Sequence, residues 1–274
     1  MSQNVAQVVQ DTQDYYDGPA DEIYRTLWQD NVHLGTWEPG DTLQQAMART
    51  NEIMADRAGV PEGAAVLDVG CGYGATALYL AATRGCQVVG INISEKELEL
   101  ARERAAEDDL ADKATFAYGD FHDIPYPDHS FDVVWSQEAF LHGVNKQTIL
   151  EECQRVLRPG GRLVISDLVA RAHLSADERA RIYARLRLRE MWSSEEYVVG
   201  LRAAGFVVVD EDDWADNVAP TYGSVVAGVR QQYDALAERV PREQLDNTVA
   251  ALDLWVESAQ AGKISQVFLV AERR

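Results

Sequence analysis

This sequence predicts an α/β fold, one doubly wound sheet of seven strands beneath a helical cap, and three observations carry the expectation. Val66-Leu-Asp-Val69 is an aliphatic run suited to a strand covered on both faces. Gly70-x-Gly72-x-Gly74 and a helical stretch from Ala75 follow at once, a strand–turn–helix unit that brings backbone close to a nucleotide-like ligand. From residue 61 onward, short apolar runs alternate with helix-patterned segments, which implies a mainly parallel sheet with helices on both faces.

Residues 1–60 precede the sheet and read as an N-terminal helical cap. Ala20 to Trp28 puts acids in a first helical turn and Ile23, Tyr24, Leu27 and Trp28 on one side. A longer helix runs from about Asp41 to Ala58, and a Gly- and Pro-punctuated loop with His33 and Trp37 joins the two. Residues 61–274 form the core. After the first strand, Cys86–Asn92, Ala114–Tyr118, Phe131–Trp135, Arg162–Val169, Gly205–Glu211 and Ile264–Glu272 read as strands. Ser94 is a helix N-cap, and Glu97 completes a capping box. Gln147–Leu157 is a helix stopped by Arg158-Pro-Gly-Gly161. Two insertions exceed the needs of the sheet: an arginine-rich helix at about 172–192, and about two helices at 215–262. With the N-terminal helices they are placed to roof the crevice at the strand ends.

Composition narrows the function classes. At 274 residues and 46% hydrophobic content, the chain has the size for one large core with a cap. Asp and Glu number 45 against 25 Lys and Arg, a net charge of −20, and only four of the bases are lysines. That charge repels nucleic acid and anionic membranes, and it also suits life in high salt, where screening relieves self-repulsion. No apolar stretch is long enough to span a bilayer, and Met1–Tyr16 lacks the apolar segment of a secretory signal. Cys71, Cys86 and Cys153 are widely spaced and odd in number, the pattern of a reduced cytoplasmic protein with no cysteine metal site. Nothing in the sequence specifies an oligomeric state.

The glycine loop selects among cofactors. A dinucleotide fingerprint is spaced G-x-G-x-x-G and receives a pyrophosphate, whereas here the spacing is G-x-G-x-G and Asp68 stands beside it. An acid there repels phosphate and suits a cation. S-adenosylmethionine carries a sulfonium and an ammonium and no phosphate. Leu67-Asp-Val-Gly-Cys-Gly-Tyr-Gly74 resembles the first motif of class I S-adenosylmethionine-dependent methyltransferases. The resemblance implies cofactor contacts from Asp68, Gly70, Gly72 and Gly74, a ribose contact at Asn92, and an adenine contact at Asp120 with Phe121 flanking the ring. Asn92 departs from the pattern, because the family has an acid there that accepts from both ribose hydroxyls.

The resemblance then narrows. Trp135-Ser-Gln-Glu-Ala-Phe-Leu-His142, the helix Ile182–Met191, and the late Leu254-Trp-Val-Glu257 with Ala261-Gly-Lys263 are similar to the sarcosine/dimethylglycine N-methyltransferases of glycine betaine synthesis. Sterol, tocopherol and phosphoethanolamine methyltransferases share the first half, and a cofactor-binding fold without catalysis stays open as an alternative. The implied substrate is a small amino acid, and no metal is implied. Its carboxylate calls for an arginine, and Arg185, three residues from both Ile182 and Leu188, is placed to point inward. A cationic product is stabilised by aromatic faces, for which Tyr16, Tyr24, Trp37, Trp135 and Tyr222 are candidates that also suit core packing. Gln137 and His33 complete the substrate candidates, and His142 is the candidate catalytic base.

Overall fold

A computed structural model describes residues 5–18, 20–28, 31–171 and 174–274. Helices α1 (Val5–Tyr16), α2 (Ala20–Leu27) and α3 (Leu43–Arg57) come first. Thr42 caps α3 in a full capping box with Gln45, which fixes where that helix begins. The sheet region runs β1 (Ala65–Val69), α4 (Ala75–Arg84), β2 (Gln87–Asn92), α5 (Glu95–Glu107), β3 (Ala114–Tyr118), β4 (Phe131–Gln137), α6 (Lys146–Val156) and β5 (Leu157–Ala170). It continues through α7 (Ala176–Ala184), α8 (Ser194–Ala203), β6 (Phe206–Asp213), α9 (Val218–Gln231), α10 (Tyr233–Leu236), α11 (Arg242–Gln260) and β7 (Ile264–Arg273).

The strands form one sheet in the order β3-β2-β1-β4-β5-β7-β6, with β7 antiparallel to both neighbours. Chain order reverses between β1 and β4, and the crevice at such a switch point, at the carboxyl ends of the strands, is where open α/β sheets bind ligands. Strand alternation divides the core in two. Val66, Trp135, Val164 and Phe268 face α3, α4 and α5, while Leu67, Val134, Ile165 and Leu269 face α6 and α8. Asp68 and Gln137 lie in register with the first set, so they emerge at the crevice on that side.

A third apolar cluster stands above the strand ends. It joins Trp28 of the N-terminal segment, Ile182 and Leu186, Tyr222 and Val225 of α9, and Trp255 of α11. Trp255 is fully buried, and its indole donates to Ile182 O at 2.9 Å, which ties the two insertions together. The arginine-rich helix is shorter than the sequence implies. α7 ends at Ala184, and Arg187 takes a left-handed φ of +53° that turns the chain away. The run of helix-forming residues does not continue the helix because Leu186 and Leu188 are both drawn into the cap.

Candidate active site

A cavity of about 1060 Å³ with its open mouth lies at the switch point. Gly70 and Gly74 both hold positive φ, and a Cβ on Gly70 would stand 2.4 Å from Ala139 Cβ. One on Gly74 would meet the Phe116 ring at 2.7 Å, so Gly74 serves packing behind the loop, while Gly70 and Gly72 line the cavity. Asp68 lines it too. Burial pushes its carboxyl up to about 7, and among the described residues its Oδ2 accepts no hydrogen bond. A buried, unsatisfied carboxylate oxygen is suited to a cationic ligand.

Asn92 lines the cavity as the sequence implies, but it does not act alone. Its Nδ2 donates to Glu97 Oε2 at 2.5 Å, and its Oδ1 accepts from Ile93 N at 2.9 Å. Ser94 does cap α5, accepting from Glu97 N at 3.2 Å, yet the Glu97 carboxylate turns to Asn92 instead of closing a capping box. The acid absent at the end of β2 is therefore supplied five residues later, inside the same cavity. Its signal in the sequence was the glutamate at the third helical position, which capping explains equally well.

Asp120 and Phe121 also line the cavity. Burial opposes ionisation of Asp120, but bonds from His122 N (2.9 Å) and Nδ1 (2.7 Å) outweigh it and hold the pKa below its ordinary value. Gln137 lies on the wall of this cavity and is fully engaged from behind: its Oε1 accepts from Trp135 Nε1 (2.7 Å) and Thr76 Oγ1 (2.8 Å), and its Nε2 donates to Asn51 (3.0 Å).

A second cavity of about 350 Å³ adjoins the first. Tyr16, Val32, His33, Glu138 and His142 border both, and Arg185 and Tyr222 line only the second. The Tyr16 hydroxyl and His142 Nε2 are hydrogen-bonded at 2.8 Å. Burial, and then the charges of Lys146 and Arg185, push His142 down to about 3, so the imidazole is neutral. His33 is likewise held neutral by burial at about 4, and its Nδ1 donates to Leu34 O at 3.0 Å. Arg185 does point inward: its guanidinium lies 4.8 Å from the Tyr222 ring centroid and 4.9 Å from that of Trp255.

Glu138 escaped the sequence reading, although it follows directly on Gln137. It holds a left-handed φ of +47°, and burial pushes its carboxyl up to about 8. Its Oε1 accepts from Ser166 Oγ (2.9 Å) and Gln266 Nε2 (2.8 Å), and its Oε2 from Leu34 N (3.2 Å). A non-glycine residue in that conformation, held from three directions at the junction of two cavities, marks a functional position.

Two expected contacts are not where the sequence put them, and a third is not described. Trp135 is fully buried in the sheet core and reaches the cavity only by holding Gln137. Trp37 borders neither cavity, because its indole is drawn to Thr221 Oγ1 at 2.8 Å. Tyr24 lies on α2, but its side chain falls outside the described residues.

Residues 67–165 match the family profile described as a methyltransferase domain. Over 93% of this chain and 94% of its own length, the sarcosine/dimethylglycine N-methyltransferase of Aphanothece halophytica is 32% identical. The chain is a class I S-adenosylmethionine-dependent methyltransferase. Methyltransferase GfsG of Streptomyces halstedii is 37% identical to it over 78% of each chain. The glycine/sarcosine/dimethylglycine N-methyltransferase of Actinopolyspora halophila is 32% identical over 94% of this chain, which spans about half (46%) of that relative. Among solved structures, a Galdieria sulphuraria chain assigned as a sarcosine dimethylglycine methyltransferase superposes with a TM-score of 0.89 at 29% identity, covering 94% of this methyltransferase and 98% of that chain.

The residues present fit the cofactor. The orphaned Asp68 oxygen matches an ammonium, the Glu97 carboxylate matches hydroxyl donors, and Asp120 matches an amino group. Among the described residues, no group of His, Cys, Asp and Glu is placed to hold a metal ion, and no helix is long and apolar enough to cross a membrane.

Proposed function

We propose that this methyltransferase methylates the amino nitrogen of sarcosine and N,N-dimethylglycine, with glycine betaine as the end product. One observation carries the reading: the smaller cavity has a guanidinium stacked on aromatic rings and a buried acid at the junction with the cofactor cavity. That pairing answers to both ends of a zwitterionic amino acid.

S-adenosylmethionine supplies an electrophilic methyl group. Arg185 binds the acceptor carboxylate and fixes its orientation, so the nitrogen is presented toward Tyr16, Glu138 and His142. With His142 neutral and Nδ1 carrying its proton, Nε2 accepts the Tyr16 phenolic proton, and the phenol oxygen turns its lone pairs toward the junction. The acceptor amine must lose a proton first. His142, pushed to about 3, holds a proton too weakly for that task, whereas Glu138, at about 8, is matched to working pH and takes it. The base expected at His142 is thus reassigned to Glu138, and His142 orients Tyr16. Once Glu138 has passed that proton to solvent, its carboxylate faces the cationic nitrogen of the product formed from dimethylglycine.

Similarity to the 27-O-demethylrifamycin SV methyltransferase of Amycolatopsis mediterranei, 32% identical over 91% of this chain, favours a second reading, methylation of a hydroxyl on another small metabolite. The two are separated by incubating the enzyme with methyl-labelled S-adenosylmethionine and, one at a time, sarcosine, dimethylglycine, phosphoethanolamine and a hydroxylated polyketide. Labelled betaine from dimethylglycine supports the proposal, and label only in the hydroxyl substrate or the phosphoamine overturns it.

A further inference from the structure

Lys146 breaks two local rules at once. It is the first residue of α6, where a cation opposes the helix dipole, and its side chain is 1% exposed. Among the buried polar residues it is the sole lysine, and no part of it lines either cavity. Local rules broken together in this way mark a functional site.

Its contacts say what it does. The ammonium has three protons and meets three acceptors: Gly143 O at 2.8 Å, Glu190 O at 3.4 Å and the Glu190 carboxylate at 3.5 Å. Gly143 directly follows the short 3₁₀ turn Phe140–His142. The bond to its carbonyl therefore staples the turn that carries His142 to the start of α6. The same contact puts the Lys146 ammonium near a buried imidazole: burial lowers the lysine's own pKa, Glu190 and Asp167 support its charged form, and low local dielectric magnifies repulsion between like charges.

We propose that Lys146 is a positioning residue of this methyltransferase, one that holds the His142 turn in place and bars a second proton from its imidazole. The groups facing His142 are Tyr16 from α1, His33 from the loop after α2, Glu138 from the end of β4, Lys146 from α6 and Arg185 from the turn after α7. Of these, Arg185 shares the charge effect, but it is placed to bind substrate, whose carboxylate neutralises it. Lys146 is paired away from the cavity and keeps its effect when substrate is bound. A protonated His142 would turn the Tyr16 hydroxyl round and set a cation against the sulfonium. The inference rests on the orienting role of His142 given above.

The test reads His142 without using turnover. The chain has five histidines, so ring-labelled histidine gives a simple NMR spectrum, in which the His142 signal is assigned by its loss in His142→Gln. Wild type, Lys146→Met and Lys146→Arg are titrated with the site empty, after S-adenosylhomocysteine binding at pH 8 has verified that each has folded. In Lys146→Met the His142 midpoint moves up by at least one pH unit, about a tenfold change in its proton affinity, while Lys146→Arg stays within half a unit of wild type. If Lys146→Met does not fold, Lys146→Gln carries the same readout. A folded, uncharged variant whose His142 midpoint matches wild type overturns the proposal, even if methylation of dimethylglycine holds. Failure of the betaine assignment leaves the NMR result unaffected.

Discussion

The hydroxyl of Tyr16 meets Nε2 of His142 at 2.8 Å across 126 positions of sequence, which joins the first helix of the cap to the end of β4. The rings meet edge to face at 5.3 Å, so the contact fixes orientation as well as distance. Tyr16 belongs to a helix whose Val8, Val9, Thr12 and Gln13 wall the cofactor cavity, so in the proposed mechanism one element both walls that cavity and carries Tyr16. Tyr16→Phe keeps the packing and removes the hydroxyl. Its kcat is expected to fall roughly 10²-fold, at the lower end for loss of a positioned polar group, with affinity for S-adenosylhomocysteine little changed. Steady-state kinetics with calorimetric binding checks both. An unchanged kcat would remove Tyr16 from the mechanism.

Glu138 sets the pH dependence. Its pKa is raised to about 8, so the ionised form gains as pH rises through that value. Wild-type kcat is therefore expected to climb with pH through about 8 and then level off. Glu138→Gln keeps the shape, lowers the plateau by roughly 10²-fold and abolishes the climb. A Gln variant with the same acid limb as wild type would assign the limb to another group.

Arg185 decides between acceptors. Arg185→Met retains much of the stacking on Tyr222 and Trp255 but cannot bind a carboxylate. KM for dimethylglycine is expected to rise by roughly 10- to 100-fold, the worth of one charged hydrogen-bonded contact, with a smaller change in kcat. Dimethylaminoethanol, which lacks the carboxylate, serves as the control, and whatever weak activity it has should survive the substitution. Equal losses on the two amines would mean that Arg185 supports the pocket without touching substrate.

The sheet was legible because its signals are local. Aliphatic strand runs and the three glycines each act within a few residues of themselves, and all seven strands are found near where that patterning puts them, although β5 begins at Leu157 and takes in Pro159-Gly160-Gly161. The inward turn of Arg185 was legible for a similar reason, since Ile182 beside it had to be buried. The misplacements arose where distant segments meet. Trp37 is drawn off by Thr221, 184 positions away, and Glu138 is held by Leu34 and Gln266, which no pattern near residue 138 announces. Glu97 was misread because the sequence offered it one satisfactory partner, the helix N-terminus, and the fold supplied another.

That second partner reverses an obvious engineering choice. Asn92→Asp restores the acid that the wider family carries at the end of β2. Here it sets a carboxylate in place of the amide that now donates to Glu97 at 2.5 Å. Two like charges at that distance repel, and one of them must take up a proton. Asn92→Asp is therefore expected to weaken S-adenosylhomocysteine binding by roughly tenfold, and Glu97→Ala to weaken it by at least as much. The double variant Asn92→Asp/Glu97→Gln should recover most of the loss. Tighter binding by Asn92→Asp alone would show that Glu97 faces away from the ligand.

Asp68 makes cofactor affinity itself depend on pH. Burial raises its pKa to about 7, and its unpartnered Oδ2 faces the cavity, so below pH 7 the carboxyl is mostly protonated before a ligand arrives. An ammonium requires the ionised form, and binding must then expel a proton. Affinity for S-adenosylhomocysteine is accordingly expected to rise with pH, by up to about tenfold per unit below 7, and to flatten above it. S-adenosylhomocysteine is the right probe because it keeps the ammonium and lacks the sulfonium, so the charge state of Glu138 enters little. Calorimetry in buffers of differing ionisation enthalpy counts the proton directly: close to one released per ligand at pH 6 and close to none at pH 8.5. Asp68→Asn should bind weakly at every pH with no proton released. A wild-type protein whose affinity is flat from pH 6 to 8.5 would mean that the Asp68 carboxylate is already ionised in the empty site, and that its buried oxygen is satisfied by water.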